Sequence, residues 1–253
     1  MQPTIVRRLR ESGKKRLFIV PFLFTFANAC LGLISVIYAI DDCYTIAAYC
    51  IVAAAIFDCL DGRLARALGS GSLLGTELDS LCDAISFCFA PAILLYSKYF
   101  YDDAILGPIA VGLFLCAGLF RLAKFNSRNT DYGEAFIGMP TTCAALFVAL
   151  FAIHDQWLLA GRWCRLVSSS YAMMLLVVGI SWLMISTVRF PAFKNRIHDL
   201  LSITVIGIMG IAVIFAWFNG IPLLLMMLAA YSLTAIICHI LACIGNHLIR
   251  EHP

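Results

Sequence analysis

The sequence predicts an all-α integral membrane protein of about eight transmembrane helices, and three observations carry that prediction. Apolar residues make up 62% of the 253-residue chain against 13% charged, and the mean hydropathy is +0.92, far from the averages of soluble domains. Apolar stretches long enough to span, at about 20 residues each, recur along the chain. Lys and Arg fall almost wholly in alternate connecting segments, the pattern expected of loops sorted by the positive-inside rule.

The spans are expected near 17–40, 44–67, 76–100, 105–125, 139–154, 168–188, 200–218 and 222–244, the fifth being the weakest. Residues 1–16 form a basic N-terminal segment, and 17–253 a single transmembrane catalytic domain. The segment IVRRLRESGKKR suits a short basic helix on an anionic leaflet with Ile5, Val6 and Leu9 dipping into the interface, or a plain topogenic flank. It leads into a full-length span without a small-residue cleavage site, so no cleavable signal is expected. In the first span Thr25, Asn28, Gly32 and Ser35 recur at three- or four-residue steps and share one helix face, which favours an interior interface.

The second span ends in Asp58 and Asp61, and the third opens with GTELDSLCDAISFCFAPA. Glu77 points roughly 160° away from Asp79 at about 100° per residue, so it is a peripheral acid. Pro91 removes a backbone donor and should kink the third helix. After the fourth span, RLAKFNSRNTDYGEAFIGMPTTCAAL brings Arg121, Lys124, Asn126 and Arg128 to the face that holds the acids, either as anion-binding groups or as loop charge. Arg189 and Lys194, between the sixth and seventh spans, rim the same face or anchor at the interface. Spans seven and eight carry no charge before Arg250 and read as scaffold or subunit contact.

With the N-terminus inside, every one of the 18 Lys and Arg except Lys98, Arg162 and Arg165 is cytoplasmic. Both termini and the acidic stretch are then cytoplasmic, in a prokaryotic plasma membrane. The net charge of +3 implies no nucleic-acid partner. The 11 Cys are mostly isolated in apolar runs and read as small hydrophobes rather than a disulfide framework. Cys238, His239 and Cys243 read as packing residues of the last span rather than as metal ligands.

The chemistry is concentrated in DCLDGRLARALGSGSLLGTELDSLCD, residues 58–83. Asp58 and Asp61 lie one above the other on one helix, as do Asp79 and Asp83 on the next. The Gly- and Ser-rich turn between them brings the two pairs face to face. Each Asp costs about 2.5–3.5 kcal/mol at a membrane helix centre, and crowding raises that unless a cation intervenes. Oxygen-only ligands suit hard cations such as Mg²⁺, Mn²⁺ or Ca²⁺, and two facing pairs suit two ions clamping a phosphate. Helix capping or a solvated acidic loop is the alternative.

The full spacing, D-x-x-D-G-x-x-A-R-x8-G-x-x-x-D-x-x-x-D, resembles the signature of the CDP-alcohol phosphotransferase family at Asp58, Asp61, Gly62, Ala65, Arg66, Gly75, Asp79 and Asp83. That resemblance implies a membrane enzyme that moves a phosphatidyl or similar group from a CDP-linked donor to an alcohol and releases CMP. It implies metal ligation by Asp58, Asp61 and Asp79, with Asp83 completing the site and acting as general base. Gly62, Ala65 and Gly75 would keep the wall flat for the nucleotide, and Arg66 would hold its end. LDSLCDAISFCFAPA, RLAKFN and FIGMP resemble the branch that makes phosphatidylserine, with Phe22, Cys88 and Lys124 replacing Asn, Gly and Arg. On that likeness Thr25, Asn28 and Asp61 contact the donor, CDP-diacylglycerol, and Arg121, Lys124 and Asn126 receive L-serine or a phosphate. A homodimer among membrane lipids is also implied. Glycerol 3-phosphate or inositol as acceptor, or a cation transporter with Asp residues lining a pathway, remain the rival readings.

Overall fold

The computed structural model describes residues 3–68, 73–127, 135–160, 170–186 and 189–191. Among these residues six helices run in order: α1 (Pro3–Ile40), α2 (Tyr44–Leu68), α3 (Leu73–Phe100), α4 (Leu106–Asn126), α5 (Thr141–Ala160) and α6 (Ser170–Ile185). The stretches Phe22–Ile40, Tyr44–Ala65, Leu73–Phe100 and Leu106–Asn126 are long and apolar enough to cross a membrane. These match the first four expected spans. The fifth and sixth expectations correspond to shorter apolar stretches, Thr141–His154 and Tyr171–Ile185, and the seventh and eighth fall outside the described residues.

Small residues set how closely the helices approach. Ala47, Ala48, Ile51, Ala54 and Ala55 on α2 meet Ala145, Ala149 and Ala152 on α5, together with Phe87, Ala90 and Leu94 of α3. Steps of three and four put each alanine set on one face, and lost side-chain bulk lets the backbones draw together, as suits association in lipid. A second cluster joins Leu95 and Phe100 of α3, Phe114 and Ala117 of α4, Val148 and Phe151 of α5, and Val177 and Met184 of α6. Leu23, Leu33 and Ile37 on α1 and Leu175 and Trp182 on α6 stay exposed, as expected of a surface facing acyl chains.

The α1–α2 turn is closed by Cys43 N–H donating to the Tyr38 carbonyl at 2.8 Å, with Asp42 at φ 59°. A left-handed residue just past the helix, followed by this back-bond, stops α1 in the way a C-terminal glycine usually does. At the same end, Lys98 Nζ donates to the Ala152 carbonyl at 2.6 Å and sits over the rings of Tyr44 and Tyr99. The Tyr44 hydroxyl in turn lies 3.0 Å from the Ser97 carbonyl. One ammonium thereby ties α2, α3 and α5 together.

Three features depart from a plain helical bundle, one of them a π-helical segment, Tyr96–Phe100, that ends α3. The expected disturbance at Pro91 takes the form of a π-helical segment, Ala84–Phe89, in the turn just before it. Proline supplies no N–H and its ring crowds the preceding turn, so the helix widens there. The all-helical expectation is also amended by a two-stranded antiparallel pair, β1 (Ala135–Ile137) with β2 (Arg189–Pro191), in which Phe136 faces Phe190. Gly138 at φ 80° and Pro140 keep the chain out of helix here, so its backbone groups pair with another extended segment instead. Met139 N–H donates to the Leu183 carbonyl at 3.0 Å, fixing the start of α5 to the end of α6.

α1 and α3 are in close contact at Gly32, where an added Cβ would lie 2.5 Å from Ser86 Oγ and 2.8 Å from Ser86 Cα. Nothing lies within 4 Å of the same position on Gly112. Gly32→Ala is therefore expected to destabilise by about 1–3 kcal/mol through overpacking. Gly112→Ala is expected to be neutral or to gain about 0.5–1 kcal/mol from helix propensity. Thermal unfolding of the two variants in one detergent checks both signs.

Candidate metal centre

The functional side chains sit at the end of the bundle opposite Lys98. Helix α2 delivers Asp58 and Asp61 in its last turns, and α3 delivers Asp79 and Asp83 shortly after its start. Helix periodicity turns each pair to one face, and antiparallel packing makes the faces meet. One ligand oxygen from each of Asp58, Asp61 and Asp79 lies within 4.8 Å of the others.

Three carboxylates this close repel by several kcal/mol even at the effective dielectric of a protein surface. Asp61 Oδ2 and Asp79 Oδ1 are buried without a hydrogen-bond partner among the described residues. Such atoms carry a desolvation cost that a bound cation, a proton or a hydrogen-bond donor removes. A converging, acid-only set of oxygens with unspent lone pairs fits a hard divalent cation.

Small residues lie beside the acids. Gly62 is four residues after Asp58, Ala65 four after Asp61, and Gly75 four before Asp79, so each shares a face with its acid one turn nearer the helix end. All three are half-buried, leaving a shallow wall next to the carboxylates. The side chain of Arg66 lies outside the described residues. Glu77 is exposed, in keeping with its expected outward direction.

The polar face of α1 is turned onto this cluster. Thr25 is buried and its side chain is hydrogen-bonded to Asp61. Asn28, completely buried, donates through Nδ2 to Asp83 Oδ1 at 3.0 Å. Ser86 Oγ donates to the Asn28 carbonyl at 2.9 Å. The family resemblance assigns Thr25 and Asn28 to the donor; each is hydrogen-bonded to an acid here.

Helix α4 borders the other side. Asn126 Nδ2 donates to Ser80 Oγ at 2.8 Å, and Ser80 also bonds the Thr76 carbonyl one turn back. Asn126 is thereby joined to the residue following Asp79. Arg121 is buried with its guanidinium over the Phe125 ring, and Lys124 is half-buried one turn on. Sequence reasoning missed Ser80 and Ser86 as braces; the available signal was their position one and three residues from acids on the same helix. Lys194 and the Cys238, His239 and Cys243 group fall outside the described residues, as does the side chain of Arg189.

Known proteins resemble this chain over the same region. The sequence model of the CDP-alcohol phosphatidyltransferase family matches residues 18–186. A Helicobacter pylori protein named CDP-diacylglycerol–serine O-phosphatidyltransferase is 37% identical over 182 residues, 71% of this chain and 74% of its own. A Mycobacterium leprae protein of the same name is 34% identical over 260 residues, covering 97% of this chain and 81% of its own. An archaetidylserine synthase of Methanothermobacter thermautotrophicus is 33% identical over 177 residues, 68% of this chain and 69% of its own. The match spans every helix that builds the acidic cluster, and the chain belongs to the CDP-alcohol phosphatidyltransferase family.

Proposed function

We propose that this protein transfers the phosphatidyl group of CDP-diacylglycerol to the hydroxyl of L-serine, giving phosphatidylserine and CMP. The observation that carries the reaction type is the convergence of Asp58, Asp61 and Asp79 beside a fourth acid held separately by Asn28. The choice of serine is supported by the shared name of the bacterial relatives. The archaetidylserine relative supports the same acceptor on a different lipid.

Asp58, Asp61 and Asp79 are the residues that would hold divalent ions, two of Mg²⁺ or Mn²⁺ in this reading, with Ca²⁺ suited to the same oxygens and Asp83 at the edge. Bound there, such ions neutralise charge on the bridging and leaving oxygens of a diphosphate. Gly62, Ala65 and Gly75 leave room for the diphosphate and cytidine to approach the acids, and Arg66 holds the nucleotide end. Asp83 accepts the proton of the serine hydroxyl as its oxygen forms a bond to the lipid-bearing phosphorus. The bond from that phosphorus to the bridging oxygen breaks, CMP leaves with the electron pair, and Asp83 then releases its proton to water. No paired nucleophile and base is apparent in the sequence, so attack is direct. Arg121, Lys124 and Asn126 border the acceptor side, where cations suit a carboxylate.

The Lys and Arg distribution supports a cytoplasmic site reached from the inner leaflet, where a lipid-linked nucleotide is embedded. A homodimer is part of the same proposal, resting on the family resemblance.

Three outcomes are expected of the purified protein in lipid–detergent micelles. Serine supports CMP release from CDP-diacylglycerol, whereas glycerol 3-phosphate and inositol do not; release with glycerol 3-phosphate and none with serine would overturn the acceptor. Chelation abolishes CMP release and added Mg²⁺ or Mn²⁺ restores it, while Asp79→Asn weakens Mn²⁺ binding measured by calorimetry. Asp83→Asn lowers kcat about 10²–10⁴-fold, the range for loss of a general base, and leaves CDP-diacylglycerol binding nearly intact. Equal loss of donor binding in Asp83→Asn and Asp58→Asn would remove the separate base role.

A further inference from the structure

The two ends of the Asn28 carboxamide are used unequally. Its Nδ2 faces Asp83 Oδ1 at 3.0 Å, and its Oδ1 is buried with no hydrogen-bond partner among the described residues. The orientation is fixed by chemistry, because turning the oxygen toward a carboxylate would set two acceptors against each other. Both heteroatoms hang on one carbon, so the unpaired oxygen is one bond removed from the carbon that carries the nitrogen bound to Asp83. Asn28 itself cannot drift: Ser86 Oγ holds its backbone carbonyl, and Gly32 one turn on abuts the Ser86 backbone. Asp83 is the last residue before the π-helical segment that carries Ser86.

A diphosphate presents acceptor oxygens, which an unpaired carbonyl oxygen repels. The vacant acceptor on Asn28 instead suits a ligand that brings O–H or N–H. An amino alcohol brings both, its hydroxyl to Asp83 and its ammonium to the neighbouring oxygen.

Resting on the reading of Asp83 as the base, we propose that Asn28 is a positioning residue for Asp83 and an acceptor-side contact for the ammonium of the incoming amino alcohol. The amide N–H holds one carboxylate oxygen so that the other faces the hydroxyl proton. The amide oxygen sets the amine on the same side.

The test is steady-state kinetics of the full chain with CDP-diacylglycerol and serine varied independently, alongside Mn²⁺ binding. Asn28→Leu removes both bonds at similar volume. It is expected to lower kcat/KM for serine about 10- to 100-fold, the scale of losing a hydrogen bond to a charged group. The KM for CDP-diacylglycerol stays within about twofold and Mn²⁺ affinity is unchanged, which a merely structural defect would not spare. Asn28→Asp keeps size and an acceptor but loses the donor, and is expected to lower kcat more than it raises the KM for serine; it serves also if the leucine variant does not fold. Wild-type serine kinetics in both variants, or a rise confined to the donor KM, would overturn the proposal. Asp83→Asn run in parallel separates the two ideas: if it retains turnover, the base assignment fails, whereas lost turnover there with unaffected Asn28 variants removes the role of Asn28 alone.

Discussion

Mutual repulsion among Asp58, Asp61 and Asp79 is the constraint around which this bundle is built. Left alone, three carboxylates with ligand oxygens within 4.8 Å of one another would drive α2 and α3 apart at that end. The packing holds them together. Alanine-lined contact of α2 with α5, and the insertion of Phe87 and Leu94 from α3 into that cluster, keep the backbones close regardless of what occupies the acids. Apolar contact along the length of the helices thus supports an electrostatically unfavourable end, the arrangement expected where charge is kept for binding rather than for stability.

Helix α1 contacts two of the acids separately. Thr25 braces Asp61 and Asn28 braces Asp83, so residues one turn apart attend to one member of the converging triad and to the acid beyond it. The widened turn after Asp83 packs closely on α1, at Gly32 against Ser86. A regular helix would present the residues after Asp83 at a different angle. The π segment re-aims them just where the chain needs a side chain to be placed, as such segments commonly do at functional sites.

The acidic centre was legible because its signal is covalent spacing: Asp58 and Asp61, Asp79 and Asp83 are set by helical periodicity, whichever way the helices pack. The first four spans were legible for a similar reason, being long uninterrupted apolar runs. What Asn28 touches was not, since the steps from Thr25 to Ser35 reveal a common face but not the neighbour it meets. Pro91 announced a disturbance in α3 without saying that it would be a widened turn. The strands at Phe136 and Phe190 are only three residues each, too short for an alternating pattern, and their pairing joins distant segments. Cys88 shows the same limit from the packing side. Its sulfur would lie 2.6 Å from a Cβ at Gly118, so a residue on α4 makes the room that Cys88 needs on α3.

The ammonium of Lys98, seated between Tyr44 and Tyr99 and bonded to the Ala152 carbonyl, ties three helices together at the end remote from the acids. Asp58 stands 14 residues beyond Tyr44, roughly 21 Å along α2 at about 1.5 Å per residue. At that separation the ammonium does little to neutralise the carboxylates, whose charge has to be met by groups or ions bound beside them.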